Sequence, residues 1–204
     1  MKIIFATGNK GKLREAAEIL GPGFELVTPA QMGITEDIEE TGKTLEENSI
    51  IKAEYLWEKT GMNCFADDTG LEVDALGGAP GIYSARYSGP GHDFAANRRK
   101  LLSELERVGA HSPAERSARF HSVVTLIIDG EKHFFEGTME GFISDCERGD
   151  AGFGYDPVFV AEQYPDRTVS ELGESAKNEI SHRGKALRAM ADYLNLLSSS
   201  SIPR

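Results

Sequence analysis

The sequence predicts an α/β fold, and three observations support this prediction. Short apolar segments alternate along the chain with longer segments of helical period. One apolar segment, Phe120–Ile128, is hydrophobic on both faces, as expected for a central strand that is covered on both sides. The chain has 204 residues, of which 40% are hydrophobic and 27% are charged, so it can bury one sizeable core. We therefore expect a single domain over residues 1–197 and a flexible tail over residues 198–204.

The first elements are predicted as a strand, a helix and a second strand. Lys2–Ala6 is an apolar strand that stops at the turn Thr7-Gly8-Asn9. Lys12–Leu20 follows with apolar residues at helical spacing and ends before a Gly-Pro-Gly sequence. Glu25–Thr28 is predicted as the second strand.

A capping pattern marks the next helix. Thr44 and Glu47 form a T-x-x-E capping box, which predicts a helix over Leu45–Lys59. Cys64–Ala66 is predicted as a short strand that ends at Asp67-Asp68, and Cys64 as a small buried residue. The remaining predicted elements are the helix Asp93–Glu106, the strand Phe120–Ile128, its neighbours His133–Phe135 and Met139–Ile143, a glycine-rich loop Gly149–Pro157 that leads into a short strand ending at Val160, and the helix His182–Leu197.

Composition and charge exclude several classes of protein. The formal net charge is −11, which argues against a broad surface for nucleic acid or for an anionic membrane. A few local cations can still hold a small anionic ligand. The two cysteines have no metal-ligand spacing, and no apolar run approaches the ~20 residues of a membrane span. Because Met1–Ala6 is too short for a signal peptide, we expect a cytoplasmic protein.

The segment between the first strand and the first helix is typical of a phosphate-binding turn. Its residues are Thr7, Gly8, Asn9, Lys10, Gly11 and Lys12. The glycines permit unusual backbone angles, and a helix start directs N–H groups toward an anion. The P-loop spacing is absent, and an ordinary turn with solvated lysines is the alternative interpretation.

Two pairs of adjacent carboxylates, Glu39-Glu40 and Asp67-Asp68, indicate a site for a divalent cation. Mg²⁺ prefers a few hard oxygen ligands, completed by waters and substrate phosphates. Adjacent carboxylates also repel each other, so one of them can have a raised pKa and act as a general base. An acidic surface is the alternative for residues 36–40, whereas Asp67-Asp68 follows an apolar strand, where α/β folds bind their ligands.

Other polar and aromatic residues fit a nucleotide ligand. Asn48 and Lys52 are four residues apart and therefore share a helix face. Lys52 is either a phosphate-contacting cation or a lysine whose stem covers a half-buried helix. Gly152-Phe153-Gly154-Tyr155-Asp156-Pro157 is suited to stacking a base or to forming a rigid turn at the core. Lys177 and the segment Ser181-His182-Arg183 add hydrogen-bond donors.

Taken together and in order, these segments resemble the inosine/xanthosine triphosphate pyrophosphatase family, whose members remove noncanonical purine nucleotides. The matching segments span Phe5 to Leu187 and are FATGNKGKLRE, EETGKTLEENSIIKAEYL, FADDTGLEVDALGGAPGIYSARYSG, RSARF, GFGYDPVF and KNEISHRGKAL. The resemblance implies an elongated mixed central sheet flanked by helices, two lobes with an active-site cleft between them, and a homodimer. It also implies hydrolysis of ITP, dITP and XTP to the monophosphate and pyrophosphate, with Mg²⁺ as the cofactor.

The same resemblance implies roles for individual residues. The turn Thr7–Lys12 would bind the triphosphate, and Thr69, where many bacterial members have serine, would contact the substrate. Glu39 and Asp68 would hold Mg²⁺, and Asp68 would also accept the proton of the attacking water. Asn48, Lys52 and Asp67 would support the metal and the phosphates. The nucleoside pocket would comprise Phe153, Gly154, Tyr155, Asp156, Lys177, His182 and Arg183.

The same residues bear on the choice of purine base. Donors from His182, Arg183 or nearby backbone would pair with the carbonyl at position six of the purine, which explains rejection of ATP but not of GTP.

A related Maf-like nucleotide pyrophosphatase with another base preference is one alternative function. A catalytically inactive nucleotide-binding regulator is another, and a nucleic-acid-binding module is disfavoured by the net charge.

Overall fold

The computed structural model describes residues 1–200 of the chain, and these form seven strands and five α-helices. The strands are β1 (Lys2–Phe5), β2 (Glu25–Val27), β3 (Cys64–Val73), β4 (Pro80–Gly81), β5 (Ser117–Ile128), β6 (Glu131–Ile143) and β7 (Phe159–Ala161). The helices are α1 (Lys10–Leu20), α2 (Leu45–Thr60), α3 (Phe94–Arg107), α4 (Glu174–Ile180) and α5 (His182–Ser200).

The strands join one mixed sheet. Their order is β2-β1-β3-β5-β6-β7, and β4 pairs with β3 outside this path. β1 is parallel to both β2 and β3, so that Ile4 lies opposite Val27 on one side and Cys64 on the other. β4 is antiparallel to β3, and β7 is antiparallel to β6. This mixture of parallel and antiparallel pairs, with helices between the strands, confirms the predicted α/β class.

The chain divides into two compact units, and each is built from separate segments. Unit 1 comprises Met1–Asp68, Ser122–Gly137 and the chain from Arg183 onward. Unit 2 comprises Thr69–His121 and Thr138–His182. The strands β3, β5 and β6 therefore contribute residues to both units. Within the described part of the chain, no helix is both long enough and apolar enough to cross a membrane.

Unit 1 has two hydrophobic clusters because its strands are apolar on both faces. Phe65 of β3 packs with apolar residues of α1 and α5, and its ring stacks on that of Phe5 at a centroid distance of 4.3 Å. Cys64 and Ala66, the neighbours of Phe65 in the same strand, pack instead with apolar residues of α2. Side chains alternate along a strand, so this division puts α1 and α5 on one face of β3 and α2 on the other.

Unit 2 has one hydrophobic cluster. Leu71 of β3, Phe120 of β5 and Phe159 of β7 pack there with Leu101 and Leu105 of α3. In β5 the residues from 122 to 128 are all buried, whereas burial alternates from 117 to 121. The predicted strand that is covered on both faces is therefore confirmed for the second half of β5.

Local chemistry explains where two helices begin. α1 begins at Lys10, two residues earlier than predicted, because the Asn9 side chain caps it by accepting from the N–H groups of Gly11 and Lys12 at 2.8 and 3.2 Å. α2 begins at Leu45 as predicted, and the Thr44 hydroxyl accepts from the N–H of Glu47 at 3.0 Å. The Glu47 carboxylate accepts from the N–H of Lys43 at 2.6 Å, one residue before the partner that a capping box predicts.

Other predicted boundaries are wrong. β3 does not stop at Ala66 but continues through Asp67-Asp68 to Val73, because both aspartates find charged partners and can remain in the sheet. The two short segments predicted around residues 133–143 are one continuous strand, β6. Helix α4 was not predicted, since its seven residues carry little apolar periodicity. α5 continues past Leu197 to Ser200, and residues 201–204 of the predicted tail lie outside the described residues.

The two cysteines differ in environment, which predicts a difference in reactivity. Cys64 is fully buried, as predicted, and burial raises the pKa of its thiol to about 12. Cys146 is exposed, although a hydrogen bond with Asp145 raises its pKa as well. Because a reagent can reach only the exposed thiol, we expect an aromatic disulfide at about pH 8 to label Cys146 first and Cys64 only after unfolding. The Cys146→Ser variant should lose the rapid phase and Cys64→Ser should keep it; rapid labelling of both thiols in the folded protein would contradict this.

Candidate active site

The two adjacent aspartates of β3 point to opposite faces of the strand. Asp67 is one position after Ala66 and two after Phe65, so it shares the face of Phe65 and meets α1 and α5. Asp68 shares the face of Ala66 and meets α2. The pair therefore serves two different sets of partners, although the residues are consecutive.

Asp67 is the centre of a buried ionic group. Its carboxylate accepts from the Lys12 ammonium at 2.9 and 3.0 Å and from the Arg183 Nε at 2.8 Å. Arg183 also contacts Glu15 at 3.3 Å. Burial alone would raise the pKa of Asp67, which is 2% exposed, but Lys12, Arg183 and Lys52 outweigh this effect and hold the pKa well below its ordinary value.

Asp68 is joined to α2 through Lys52. The Lys52 ammonium donates to the Asp68 carboxylate at 2.9 Å, to the Glu40 carboxylate at 2.9 Å and to the backbone carbonyl of Asp67 at 2.8 Å. The Asn48 amide, one turn earlier in α2, donates to the other Asp68 oxygen at 3.5 Å. The predicted shared face of Asn48 and Lys52 is therefore directed at Asp68.

The pKa shifts in this group have opposite directions. Burial raises the pKa of the Asp68 carboxyl, Lys52 opposes this, and Glu40 and Asp67 add to it; the net shift is upward. Burial alone would lower the pKa of Lys52, but the carboxylates of Asp68, Asp67 and Glu40 raise it, so Lys52 stays charged. One of the two aspartates thus has a raised pKa, as predicted, and burial is the first cause rather than repulsion between neighbours.

A close backbone contact brings Glu40 into the group. The N–H of Gly42 donates to the Asn48 side-chain oxygen at 2.8 Å. A Cβ at position 42 would lie 2.6 Å from that oxygen and 2.7 Å from the Glu47 Cβ, so only glycine fits. The segment before α2 can therefore lie against the helix, with Glu40 within reach of Lys52.

We call the resulting set the Asp67–Asp68 network. It comprises Lys12, Glu15, Glu40, Asn48, Lys52, Asp67, Asp68 and Arg183, all in unit 1. Three cations face four carboxylates there. A bound triphosphate would add several negative charges, so additional positive charge is needed to hold it.

The sequence named Glu40 only as one of the pair Glu39-Glu40 and did not name Glu15. The family resemblance assigned the metal to Glu39, which is exposed, and an irregular acidic segment has no period that distinguishes adjacent residues. Glu15 was missed although it lies three residues after Lys12 in α1 and therefore on a neighbouring face. Helical spacing was the signal that could have found it.

Several polar groups of the predicted phosphate-binding turn make hydrogen bonds within the turn itself. Thr7 is buried, and its hydroxyl accepts from the N–H of Asn9 at 3.1 Å. The Asn9 side chain satisfies the N–H groups of Gly11 and Lys12, while Gly8 and Lys10 are exposed. Only Lys12 of this turn reaches the Asp67–Asp68 network.

The glycine-rich loop of unit 2 forms a second group. The Asp156 carboxylate accepts from the N–H of Phe153 at 2.9 Å and from the Lys177 ammonium at 2.5 Å. Lys177 also lies 4.9 Å from the centroid of the Phe153 ring, which is exposed. A Cβ on Gly152, whose φ is +84°, would lie 2.4 Å from the Asp156 carboxylate, so this turn requires glycine.

The other residues predicted for the nucleoside pocket each have partners of their own. Tyr155 is buried in the core, and its hydroxyl donates to the Ser84 carbonyl at 2.8 Å. His182 stacks on the Phe120 ring at 4.9 Å. Arg183 lies in unit 1 with Asp67, whereas Thr69, next to Asp68 in β3, begins unit 2.

Hard oxygen donors for a metal ion are present in the network. Among the described residues, no group of three or more His, Cys, Asp or Glu side chains is arranged to hold a metal ion alone. Glu40 and Asp68 nevertheless share the Lys52 ammonium, so two carboxylates lie close together. This donor set fits Mg²⁺, which is commonly bound through one or two carboxylates with substrate phosphates and waters.

The fold and the network define an α/β protein with a group of three cations and four carboxylates around β3. The chain belongs to the Ham1 family, whose model matches residues 3–193. A dITP/XTP pyrophosphatase of Porphyromonas gingivalis is 49% identical over 193 residues, which are 95% of this chain and 97% of the relative. A dITP/XTP pyrophosphatase of Bacillus subtilis is 46% identical, over 94% and 96% of the two chains.

Solved structures resemble the whole chain as well. A HAM1 protein from Coxiella burnetii superposes with a TM-score of 0.89 at 39% identity, covering 96% of this chain and 98% of that one. The Staphylococcus aureus Ham1 protein gives a TM-score of 0.87 at 38% identity, with the same coverage. Fold and family are therefore established over nearly the full length.

Proposed function

We propose that this protein hydrolyses the noncanonical purine nucleoside triphosphates ITP, dITP and XTP to the monophosphate and pyrophosphate. The observation that carries this proposal is the Asp67–Asp68 network, in which the Asp68 carboxylate, oriented by Lys52 and Asn48, lies beside cations suited to phosphates. Relatives that match this chain over nearly its whole length are named dITP/XTP pyrophosphatases, which supports the proposal.

Asp68 is the proposed proton acceptor for the water that attacks the α-phosphorus. Lys52 and Asn48 each contact one oxygen of its carboxylate, so the carboxylate is held in a defined orientation. Its role as a base rests on this orientation, since Mg²⁺ bound at the same carboxylate would oppose the upward pKa shift that burial causes.

Lys12 and Lys52 are proposed to bind the phosphates, together with the turn Thr7–Lys12. Asp67 would not react but would hold Lys12 and Arg183 in place, since both cations contact its carboxylate. Phosphoryl transfer depends mainly on position and electrostatics, so residues that orient the cations matter to the rate.

Mg²⁺ is the proposed cofactor. Asp68 and Glu40 would hold it, because they share Lys52 and both offer carboxylate oxygens; Glu40 thereby takes the role first predicted for Glu39. When bound, the ion neutralises charge on the phosphate oxygens.

Purine selection is proposed to involve Phe153 and Lys177. The exposed Phe153 ring offers a face on which a base can stack, and the Lys177 ammonium beside it can donate to a carbonyl. Of the donors first predicted, Arg183 is already engaged by Asp67 and Glu15. Lys177 pairs with Asp156 but has further N–H donors, and a six-carbonyl purine would be preferred because the amine of adenine offers them no acceptor.

A panel of triphosphates tests this function. ITP, dITP, XTP, GTP, ATP, dTTP and UTP are incubated with the enzyme in the presence of Mg²⁺ or of a chelator, and the products are separated. We expect monophosphate plus pyrophosphate from ITP, dITP and XTP, and no turnover with the chelator. Diphosphate plus phosphate, or a preference for dTTP or UTP, would contradict the proposal.

We further propose a cytoplasmic homodimer, as first predicted from the family resemblance. Sedimentation equilibrium of the purified chain is expected to give twice the monomer mass. A monomer at micromolar concentration would contradict the oligomeric proposal without affecting the catalytic one.

A further inference from the structure

The Phe153 ring is carried by a segment that other contacts restrain only at single points: Asp156 accepts from the Phe153 N–H, and the Ser170 hydroxyl donates to the Ala151 carbonyl. Phe153 is 57% exposed, an unusual position for a large apolar side chain. It lies in the segment 147–154, which contains glycines with positive φ at positions 149, 152 and 154. A ring on such a backbone loses conformational freedom when it is held still, so contacts from outside the segment decide how well it is placed.

Arg98 of α3 connects the two ends of this segment. One terminal nitrogen donates to the Gly154 carbonyl at 2.8 Å, and the other contacts the Glu147 carboxylate at 3.0 Å. Its Nε is buried and has no hydrogen-bond partner within the described part of the chain, so the two terminal nitrogens make its polar contacts. A planar guanidinium can bind two separate acceptors in this way, whereas a lysine ammonium is a single point of charge.

Phe94 lies on the same face of α3 as Arg98, one turn earlier. Its ring meets the Phe153 ring edge to face, with centroids 6.5 Å apart and an interplanar angle of 64°. Phe94 is itself 39% exposed, so it is not needed to fill the core. Such a pair restrains the orientation of both rings.

We propose that Phe94 and Arg98 are positioning residues that hold the Phe153 ring where a purine base stacks on it. Arg98 contacts the segment before and after Phe153, and the Phe94 ring packs against the Phe153 ring. This inference rests on the proposed function, because Phe153 acts as a stacking surface only if the substrate is a nucleotide. It adds one face of α3 to the determinants of substrate affinity, through a helix that supplies no group to the reaction.

Substrate affinity in two variants tests the proposal. Phe94→Leu keeps an apolar side chain but removes the aromatic edge, and Arg98→Gln removes the bridge. We expect each to raise KM for ITP about fivefold and to leave kcat within about twofold, because the loss of one aromatic or charged contact is of this size. Ribose 5′-triphosphate, which has no base, should show unchanged KM in both variants, whereas general loosening of the fold would affect both substrates.

Matched controls separate positioning from charge. Arg99→Gln removes the same charge from an exposed neighbour in α3 and should leave KM for ITP unchanged. In the Phe153→Ala background, Phe94→Leu should add no further increase in KM.

Each outcome has a definite meaning. Unchanged KM for ITP in both variants, or an equal increase for the substrate without a base, would overturn the inference and leave the proposed function standing. A wild-type protein that releases no pyrophosphate from any triphosphate would overturn both.

Discussion

Asp68→Asn is expected to lower kcat for ITP by about three orders of magnitude, the size of a lost general base. The substitution keeps the shape of the side chain, and an asparagine oxygen can still accept from Lys52, so the fold should be retained. The measurement is pyrophosphate release under saturating ITP and Mg²⁺, with circular dichroism to monitor folding.

Two further measurements make this prediction specific. Binding of a non-hydrolysable ITP analogue to Asp68→Asn should remain detectable by calorimetry, because Lys12 and Lys52 are unchanged. Asp37→Asn, which removes a carboxylate from an exposed position in the acidic segment, should have wild-type kcat. An Asp68→Asn enzyme within tenfold of the wild type would remove Asp68 from the reaction.

Asp67→Asn is expected to lower the free energy of unfolding by about 3–5 kcal/mol, the cost of removing one partner from a buried ion pair. Lys12 and Arg183 would then lie next to a neutral amide in a buried site. Turnover should fall as well, since both cations would lose the group that positions them. Denaturant unfolding of the two proteins measures the difference.

The pH dependence of this difference follows from the direction of the pKa shift. The pKa of Asp67 is lower in the folded protein than in the unfolded chain, where it is about 3.9. The stabilisation by Asp67 is therefore fully present above that unfolded value and is lost as the pH falls toward the folded pKa. We expect the stability of the wild type and of Asp67→Asn to converge in acid.

A double mutant provides the control for Asp67. Lys12→Met combined with Asp67→Asn removes both members of one pair, so the combined loss of stability should be smaller than the sum of the single losses. Additive losses, or a loss below about 1 kcal/mol for Asp67→Asn alone, would show that the ionic group does not stabilise the fold.

Sequence patterns predicted the elements whose cause is local. The Thr44 cap and the start of α2 follow from hydrogen bonds within one helical turn, and the buried second half of β5 follows from an uninterrupted apolar run. The end of β3 was missed because charged residues usually end a buried strand. Here they continue it, since their partners come from elements far away in the chain.

The candidate site shows the same difference between features with a local cause and features that depend on long-range packing. The sequence located Asp67-Asp68, Lys12 and the Asn48–Lys52 face, but it could not show which of Glu39 and Glu40 contacts Lys52. That contact depends on how closely Gly42 lies against Asn48, which is a property of packing. Phe94 and Arg98 gave no signal at all, because their partners Phe153, Gly154 and Glu147 lie about fifty residues or more further along the chain.

The sequence by itself determined the α/β class, most helices and strands, and the residue types suited to phosphate and a divalent cation, because these depend on periodicity and on the chemistry of short segments. Only the tertiary structure decided that Asp67 meets Lys12 and Arg183 while Asp68 meets Lys52. These partners lie 55, 116 and 16 residues away. The alternation of side chains along β3 separates the two aspartates, and long-range packing of the helices on its two faces supplies the partner of each.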